Sequence, residues 1–217
     1  DIDRQWEAES RSRTAAQHES KGLVGHLSQV GEQFCTTTPQ GRPAVLAGYP
    51  WFEAWGRDTL ISLPGLTFHA GREEFGLRVL ADLGQHIRNG LVPNMFSESG
   101  EHAYNSVDAS LWYAFALQQM LTVVPDGLAW AHAHAWEALK SIIKGYQRGP
   151  GMGIFVDAEG LLAYSLQGQG VMPSLPALRE NLRCRMVATE IKRLRRILLQ
   201  PGQIRDRTFQ VRPVREV

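Results

Sequence analysis

The residues best suited to chemistry stand in one short stretch, Ala47-Gly-Tyr-Pro-Trp-Phe-Glu-Ala-Trp-Gly-Arg-Asp-Thr59. Tyr49, Trp51, Phe52 and Trp55 lie there beside Glu53 and the adjacent Arg57 and Asp58. Pyranose rings have apolar CH faces that stack on aromatic rings, and their hydroxyls need paired donors and acceptors. Arg57 offers a planar fork of donors and Asp58 two acceptor oxygens, a combination that fixes the hydroxyls of one sugar. The alternative is a loop whose aromatics fill a core and whose Arg57 and Asp58 form a structural ion pair. Gly48, Pro50 and Gly56 interrupt regular structure, so the spacing predicts a shaped loop turning into a helix at Asp58-Thr59.

A second junction repeats the theme. A Gly/Ser/Asn-rich loop starting at Asn94 runs into Tyr104-Asn-Ser-Val-Asp-Ala-Ser-Leu-Trp112, which places Asp108 in the first turn of an apolar helix. One reading is a capped helix, with Asn105 or Ser106 as N-cap and Asp108 favoured by the helix dipole. The other is a carboxyl held against an apolar wall, where desolvation favours the protonated form and lets it give a proton to a leaving oxygen. Capping accounts for an acid in the first turn. It does not account for Asp and Trp at both junctions.

The elements that must position these residues read as helical. Residues 6–34 are expected to form a helix or helix pair, with 44–46 as a short extended entry to the aromatic loop. Helices are predicted over 59–69 and 72–88, separated by Gly71, the second with Phe75, Val79, Leu80, Leu83 and Ile87 on one face. Helices over 107–124 and 128–146 flank a turn at Pro125-Asp-Gly127. Residues 155–163 suit a small β-hairpin with a Gly turn.

Together, Gly48-Tyr-Pro-Trp-Phe-x-x-Trp-Gly-Arg-Asp-Thr59, Gly90-Leu-Val-Pro-Asn94 and Tyr104-Asn-Ser-Val-Asp-Ala-Ser-Leu-Trp112 closely resemble the amylo-α-1,6-glucosidase domain of glycogen debranching enzymes. The resemblance covers about residues 27–168, two-thirds of this chain but less than half of a complete catalytic domain. It implies an all-α fold, here a partial (α/α)6 toroid with a short β-hairpin, and inverting hydrolysis of α-1,6-linked glucose at branch points of glycogen or limit dextrin. It implies Asp108 as the general acid, Arg57 and Asp58 as the grip on the terminal glucose, and Trp51 and Trp55 as walls of that subsite. Tyr104 and Asn105 match neighbours of the acid. The expected partner is a branched α-glucan and the expected setting the cytoplasm. An inverting enzyme also needs a carboxylate to activate water, about 6.5–9.5 Å from the acid. In the family this is a Glu far toward the C-terminus, and here the chain departs from the pattern.

Composition marks the departure. Residues 1–176 hold 12 Lys+Arg and 18 Asp+Glu, net −6, whereas 177–217 hold 11 Lys+Arg and 4 Asp+Glu, net +7. Residues 1–170 are therefore expected to be the N-terminal portion of the glucosidase domain. Residues 171–217 are expected to be an unrelated basic tail, disordered or read out of frame. With no Gly-aromatic pattern and Phe209 its sole aromatic, the tail does not suggest a nucleic-acid-binding arm. No run approaches 18 apolar residues, so no membrane partner is expected. Cys35 and Cys184 fit two thiols better than a disulfide. His132 and His134 lie about 200° apart on a helix and cannot share an ion, and Gly149-Pro-Gly-Met-Gly153 lacks the Lys of a phosphate loop, so neither metal nor cofactor is expected. Glu98 and Glu101 flank Gly100 in the loop before Asp108, and they read more readily as solvated loop acids than as contacts to substrate.

Overall fold

Short apolar segments broken by Gly and Pro build the entry to the fold as strands, and longer periodic segments build the rest as helices. The computed structural model describes residues 22–49, 52–96, 101–151, 154–156 and 162–164. The basic tail and residues 6–21 of the first predicted helix lie outside the described residues, and so does Trp51. Helix α1 (Leu23–Glu32) leads into a three-stranded antiparallel sheet of β1 (Cys35–Thr37), β2 (Pro43–Gly48) and β3 (Phe52–Ala54), ordered β1-β2-β3. Cys35 pairs with Val45, and Leu46 pairs with Ala54. Gly48 pairs with Phe52, so the described part of the aromatic stretch belongs to a hairpin rather than a free loop. β1 and β3, three residues each, give no alternation long enough to read, which is why only 44–46 of the longer β2 stood out as extended in this sheet.

Helix α2 (Gly56–Leu66) starts three residues before the predicted position and passes through a 3-10 turn (Phe68–Ala70) into α3 (Glu73–Gln85). The early start depends on Gly56. A Cβ there would lie 2.0 Å from the Pro93 carbonyl oxygen, so only glycine lets the helix begin against that backbone. Thr59 fastens α2 to the sheet by donating to the Val45 carbonyl at 3.3 Å.

Helix α4 (Ala109–Val123) is followed by the expected turn, with Asp126 left-handed at φ 56°. The predicted helix over 128–146 is two, α5 (Gly127–His134) and α6 (Trp136–Arg148), broken at Ala135 with φ −120° and ψ −10°. Alanine carries no signal of a break, and its full burial shows that packing sets the bend. The hairpin expected over 155–163 is present as β4 (Ile154–Val156) and β5 (Leu162–Tyr164), with Phe155 opposite Ala163.

The core lies where four of these helices meet. Leu60 and Leu63 of α2, Val79, Leu80 and Leu83 of α3, Tyr113, Leu117 and Met120 of α4, and Leu139 and Ile142 of α6 are all buried. Each such side chain contributes about 1.5–3 kcal/mol by leaving water. Tyr113 satisfies its hydroxyl by donating to the Leu80 carbonyl at 3.1 Å, and burial pushes its phenol well above the usual range. A second close approach seats the chain that follows α3. Gly90, at φ 82°, passes α6 so closely that a Cβ would lie 2.8 Å from the Cα of Gly145.

Candidate active site

Two helix N-termini face each other across the segment that follows Gly90, and this segment is tied to both. The Gly56 amide, opening α2, donates to the Asn94 carbonyl at 2.9 Å. The Val92 amide donates to the Ser110 hydroxyl, in the first turn of α4, at 2.9 Å. Asn94 also takes in the approach to α4: its amide donates to the Ala103 carbonyl at 2.7 Å, and its Nδ2 donates to Asn105 Oδ1 at 3.2 Å. Leu91 to Asn94, the plainest of the three sequence motifs, is thus the clamp that brings the other two together. Pro93 contributes by lacking an amide hydrogen that would otherwise need a partner in this buried run.

Asp108 is the product of that clamp. It occupies the N-cap of α4, but its side chain does not cap; the Ser106 hydroxyl takes that place and accepts from the Ala109 amide at 3.2 Å. The freed carboxylate accepts three hydrogen bonds. Arg57 Nε, from the other junction, donates to Oδ2 at 2.9 Å, and Trp112 Nε1, one turn along α4, donates to Oδ2 at 3.2 Å. Ser106 Oγ donates to Oδ1 at 2.9 Å. The apolar wall expected beside Asp108 is replaced by donors: the nearest ring turns its N–H, not its face, to the carboxylate.

The Arg57–Asp108 ion pair is open, with side-chain exposures of 51% and 37%. An exposed pair of this kind is worth about 0–1 kcal/mol, so an incoming hydroxyl competes with it easily. Among the described residues Arg57 commits only Nε, and the N–H groups of both terminal nitrogens are open to a ligand. Asp58 is exposed on the same turn of α2. Its backbone carbonyl, not its carboxylate, accepts the Ser62 hydroxyl at 2.8 Å. Arg57 therefore turns to Asp108 and not to its sequence neighbour, against the structural Arg57–Asp58 pair.

Trp55, half-buried, is the N-cap of α2 and bridges to Met95, which bridges in turn to Ala103. Tyr49 leans away from the junctions, with its ring 5.7 Å from Phe34 and its hydroxyl donating to the Gln33 carbonyl. Tyr104 donates to the His86 carbonyl at 2.8 Å and lies under the Arg88 guanidinium, 5.7 Å from the ring centroid. It lines an open cleft of about 430 Å³ with Arg88, Asn89, Leu91, Glu101, His102 and Pro150. Glu98 lies outside the described residues.

Sequence reasoning missed two supports of Asp108. Trp112 was legible, because residues four apart share a helix face. Tyr146 was not. It reaches from α6 to donate to the Val107 carbonyl at 2.5 Å, fixing the residue before the acid. Burial pushes its phenol well above the usual range, the Asp108 charge adds to this, and a hydrogen bond with Ser110 opposes it. Among the described residues no three His, Cys, Asp or Glu side chains gather as a metal site, and no helix is long and apolar enough to cross a membrane. His134 stacks on Trp130 at 4.9 Å, while His132 lies 5.3 Å from Trp136.

The two helix junctions bring an arginine, a tryptophan N–H and an open carboxylate together. The chain belongs to the amylo-alpha-1,6-glucosidase family, whose model matches residues 29–172. A glycogen debranching enzyme of Saccharomyces cerevisiae is 35% identical to it over 91 residues. That alignment covers 39% of this chain and 6% of the yeast protein, so the chain matches only a small part of its relative's length.

Proposed function

We propose that this chain supplies the glucose-binding subsite and the general acid of an inverting glycoside hydrolase that removes α-1,6-linked glucose from branch points of glycogen or limit dextrin, within an (α/α)6 toroid. The observation that carries this reading is Asp108, open to a ligand and braced by Arg57 from a separate motif. In the proposed reaction Asp108 gives its proton to the glycosidic oxygen as the C1–O bond breaks. A water adds to C1 from the opposite face and gives its proton to a second carboxylate. Arg57, through its terminal nitrogens, and Asp58 hold the hydroxyls of the departing glucose, and Trp51 and Trp55 wall its ring. Tyr104 and Asn105 shape the ground beside the acid.

On this reading the donors around Asp108 distinguish its two oxygens. Arg57 Nε and Trp112 Nε1 only donate, so Oδ2 serves as acceptor, whereas the Ser106 hydroxyl at Oδ1 either donates or accepts. Oδ1 is therefore the oxygen that carries the proton in the acid form.

No carboxylate of this chain is assigned to the water, so the 217-residue protein by itself is expected to release glucose from limit dextrin only at background level. A complete domain, with these residues joined in frame to the family's downstream segment, is expected to release glucose whose first-formed anomer is β, followed by proton NMR within the first minutes. Release of the α-anomer first would mean a retaining mechanism. Glycosidase rates from the 217-residue chain alone would mean that its basic tail supplies the missing carboxylate.

A further inference from the structure

The turn that carries the chain from α3 into the clamp segment is built from Asn89 and Gly90. Both have positive φ, 51° and 82°, the pattern of a two-residue type I′ turn, and Asn-Gly is a pair that such a turn prefers. The Arg88 amide donates to the Leu91 carbonyl at 3.0 Å, and the Leu91 amide donates to the Arg88 carbonyl at 2.9 Å. This bridge is isolated, so no ladder on either side stiffens it. The pair that suits the turn is also a reactive pair. The carboxamide carbon of an asparagine stands one five-membered ring away from the next amide nitrogen, and a glycine there puts no side chain in the way.

The surroundings single out Asn89 among the described asparagines. Its side chain is exposed and, among the described residues, makes no hydrogen bond, so it is free to turn toward the Gly90 nitrogen. The Gly90 amide donates to no carbonyl among the described residues, so no hydrogen bond has to break before it loses its proton. Asn94 and Asn105 are half-buried and bond to each other through their carboxamides at 3.2 Å. They precede Met95 and Ser106, whose side chains crowd the same attack. Asp126 shares the positive φ and the following glycine, but its carboxylate has a far poorer leaving group than a carboxamide.

We propose that Asn89 is a site of spontaneous deamidation, with water as the only reagent, and that its isoaspartate product loosens the clamp between the two helix junctions. The Gly90 nitrogen gives up its proton and bonds to Asn89 Cγ, the Cγ–Nδ2 bond breaks, and ammonia leaves a cyclic imide. Water then adds to one of the two imide carbonyls and breaks its bond to the Gly90 nitrogen. Opening at Cγ leaves aspartate. Opening at the former backbone carbonyl leaves isoaspartate, whose main chain runs through the side chain and is one carbon longer. Aspartate keeps the backbone and adds a carboxylate to an exposed turn beside Arg88. Isoaspartate lengthens a turn that has no slack, because a Cβ on Gly145 would lie 2.3 Å from the Asn89 carbonyl oxygen and 2.6 Å from the Gly90 Cα. Val92 and Asn94, which tie the junctions, follow directly. The inference does not depend on the glucan reading.

Ageing the full 217-residue chain in mildly alkaline buffer tests this. Trypsin cuts after Arg88 and Lys140, so one peptide carries Asn89, Asn94 and Asn105, and electron-transfer fragmentation assigns aspartate or isoaspartate to each position. Conversion at Asn89 is expected to be at least about tenfold faster than at either of the others. The urea midpoint of the aged protein is expected to fall in proportion to its isoaspartate content. Asn89→Gly keeps a turn of positive φ without a carboxamide, and its midpoint is expected to hold on ageing. Freshly prepared Asn89→Asp is expected to match the wild type. Conversion at Asn89 no faster than at Asn94 and Asn105 would overturn the proposal. Fast conversion with an unchanged midpoint, or an equal fall in aged Asn89→Gly, would remove the link to the clamp and overturn it as well. A fresh Asn89→Asp with a lowered midpoint would mean that charge, not the added carbon, does the damage.

Discussion

The two loop-to-helix junctions begin from nearly the same sequence idea and end in different hydrogen bonding. Each places an aspartate at the start of a helix, with a tryptophan close by in sequence and a polar or donor residue four positions on. At the α2 junction that residue is Ser62, whose hydroxyl donates to the backbone carbonyl of Asp58 and leaves the carboxylate exposed. At the α4 junction it is Trp112, whose N–H donates to the carboxylate of Asp108 itself, where Arg57 and Ser106 join it. A carboxylate without fixed partners is available to accept hydroxyls from a ligand. One held on both oxygens has a defined orientation. The difference lies in which acceptor the i+4 side chain selects, and on the proposed reading it gives Asp58 a binding role and Asp108 a proton-transfer role.

The sharpest way to break the comparison is to neutralise each acid in turn. In a complete domain, Asp108→Asn is expected to lower kcat by roughly 10²–10⁴ for a glycoside with a poor leaving group. The loss should shrink sharply for α-glucosyl fluoride, whose leaving group scarcely needs a proton. Asp58→Asn removes a charged acceptor and is expected to lower kcat/KM about 10- to 100-fold on both substrates alike. Equal losses on both substrates for Asp108→Asn would move Asp108 into the binding role and erase the distinction.

A second experiment addresses what holds the junctions in register. Gly56→Ala puts a methyl group 2.0 Å from the Pro93 carbonyl, and backbone cannot swing aside as a side chain can. A loss of roughly 3 kcal/mol in urea denaturation is expected, at the upper end for overpacking. Gly65→Ala, nine residues along the same helix, meets nothing within 4 Å. It is expected to raise stability by about 0.5–1 kcal/mol through helix propensity. Similar destabilisation by both would mean that the close approach of α2 to the clamp segment is not what Gly56 secures.

Much of this arrangement was legible in the sequence, and the gaps have physical reasons. Helix positions followed from periodicity, and Pro125-Asp-Gly127 announced its turn through residue chemistry alone. The break at Ala135 was invisible because tertiary packing, not a breaker residue, imposes it. The outer strands of the three-stranded sheet, β1 and β3, were invisible because three residues are too short for a period to show, and no turn chemistry marked them as the Gly turn marked β4 and β5. At the site, Arg57, Asp58 and Asp108 stood out by type and spacing. Their pairing across 51 residues of sequence did not, since a guanidinium has no sequence signature for its partner. The role of Leu91 to Asn94 as a clamp rests on backbone groups, which every residue carries and no composition reveals.

The smallest expected effect sharpens the comparison most, because it alters one hydrogen bond at each junction. Trp112→Phe keeps most of the ring and removes the N–H that Asp108 Oδ2 accepts at 3.2 Å. Oδ2 retains Arg57 Nε, so the carboxyl stays in place but loses one of the two donors that mark Oδ2 as the acceptor oxygen. The loss of one such bond is about 1 kcal/mol, which corresponds to a roughly fivefold fall in kcat for a substrate that needs its leaving group protonated. Hydrolysis of α-glucosyl fluoride is expected to change less than twofold, and KM to hold for both substrates, since Trp112 is assigned no contact with sugar. Ser62→Ala makes the matching change at the other junction and removes only a bond to the Asp58 backbone. It is expected to leave both substrates unaffected. A rise in KM for Trp112→Phe with kcat unchanged would make Trp112 a sugar-contacting wall, and the two junctions would then differ in position alone.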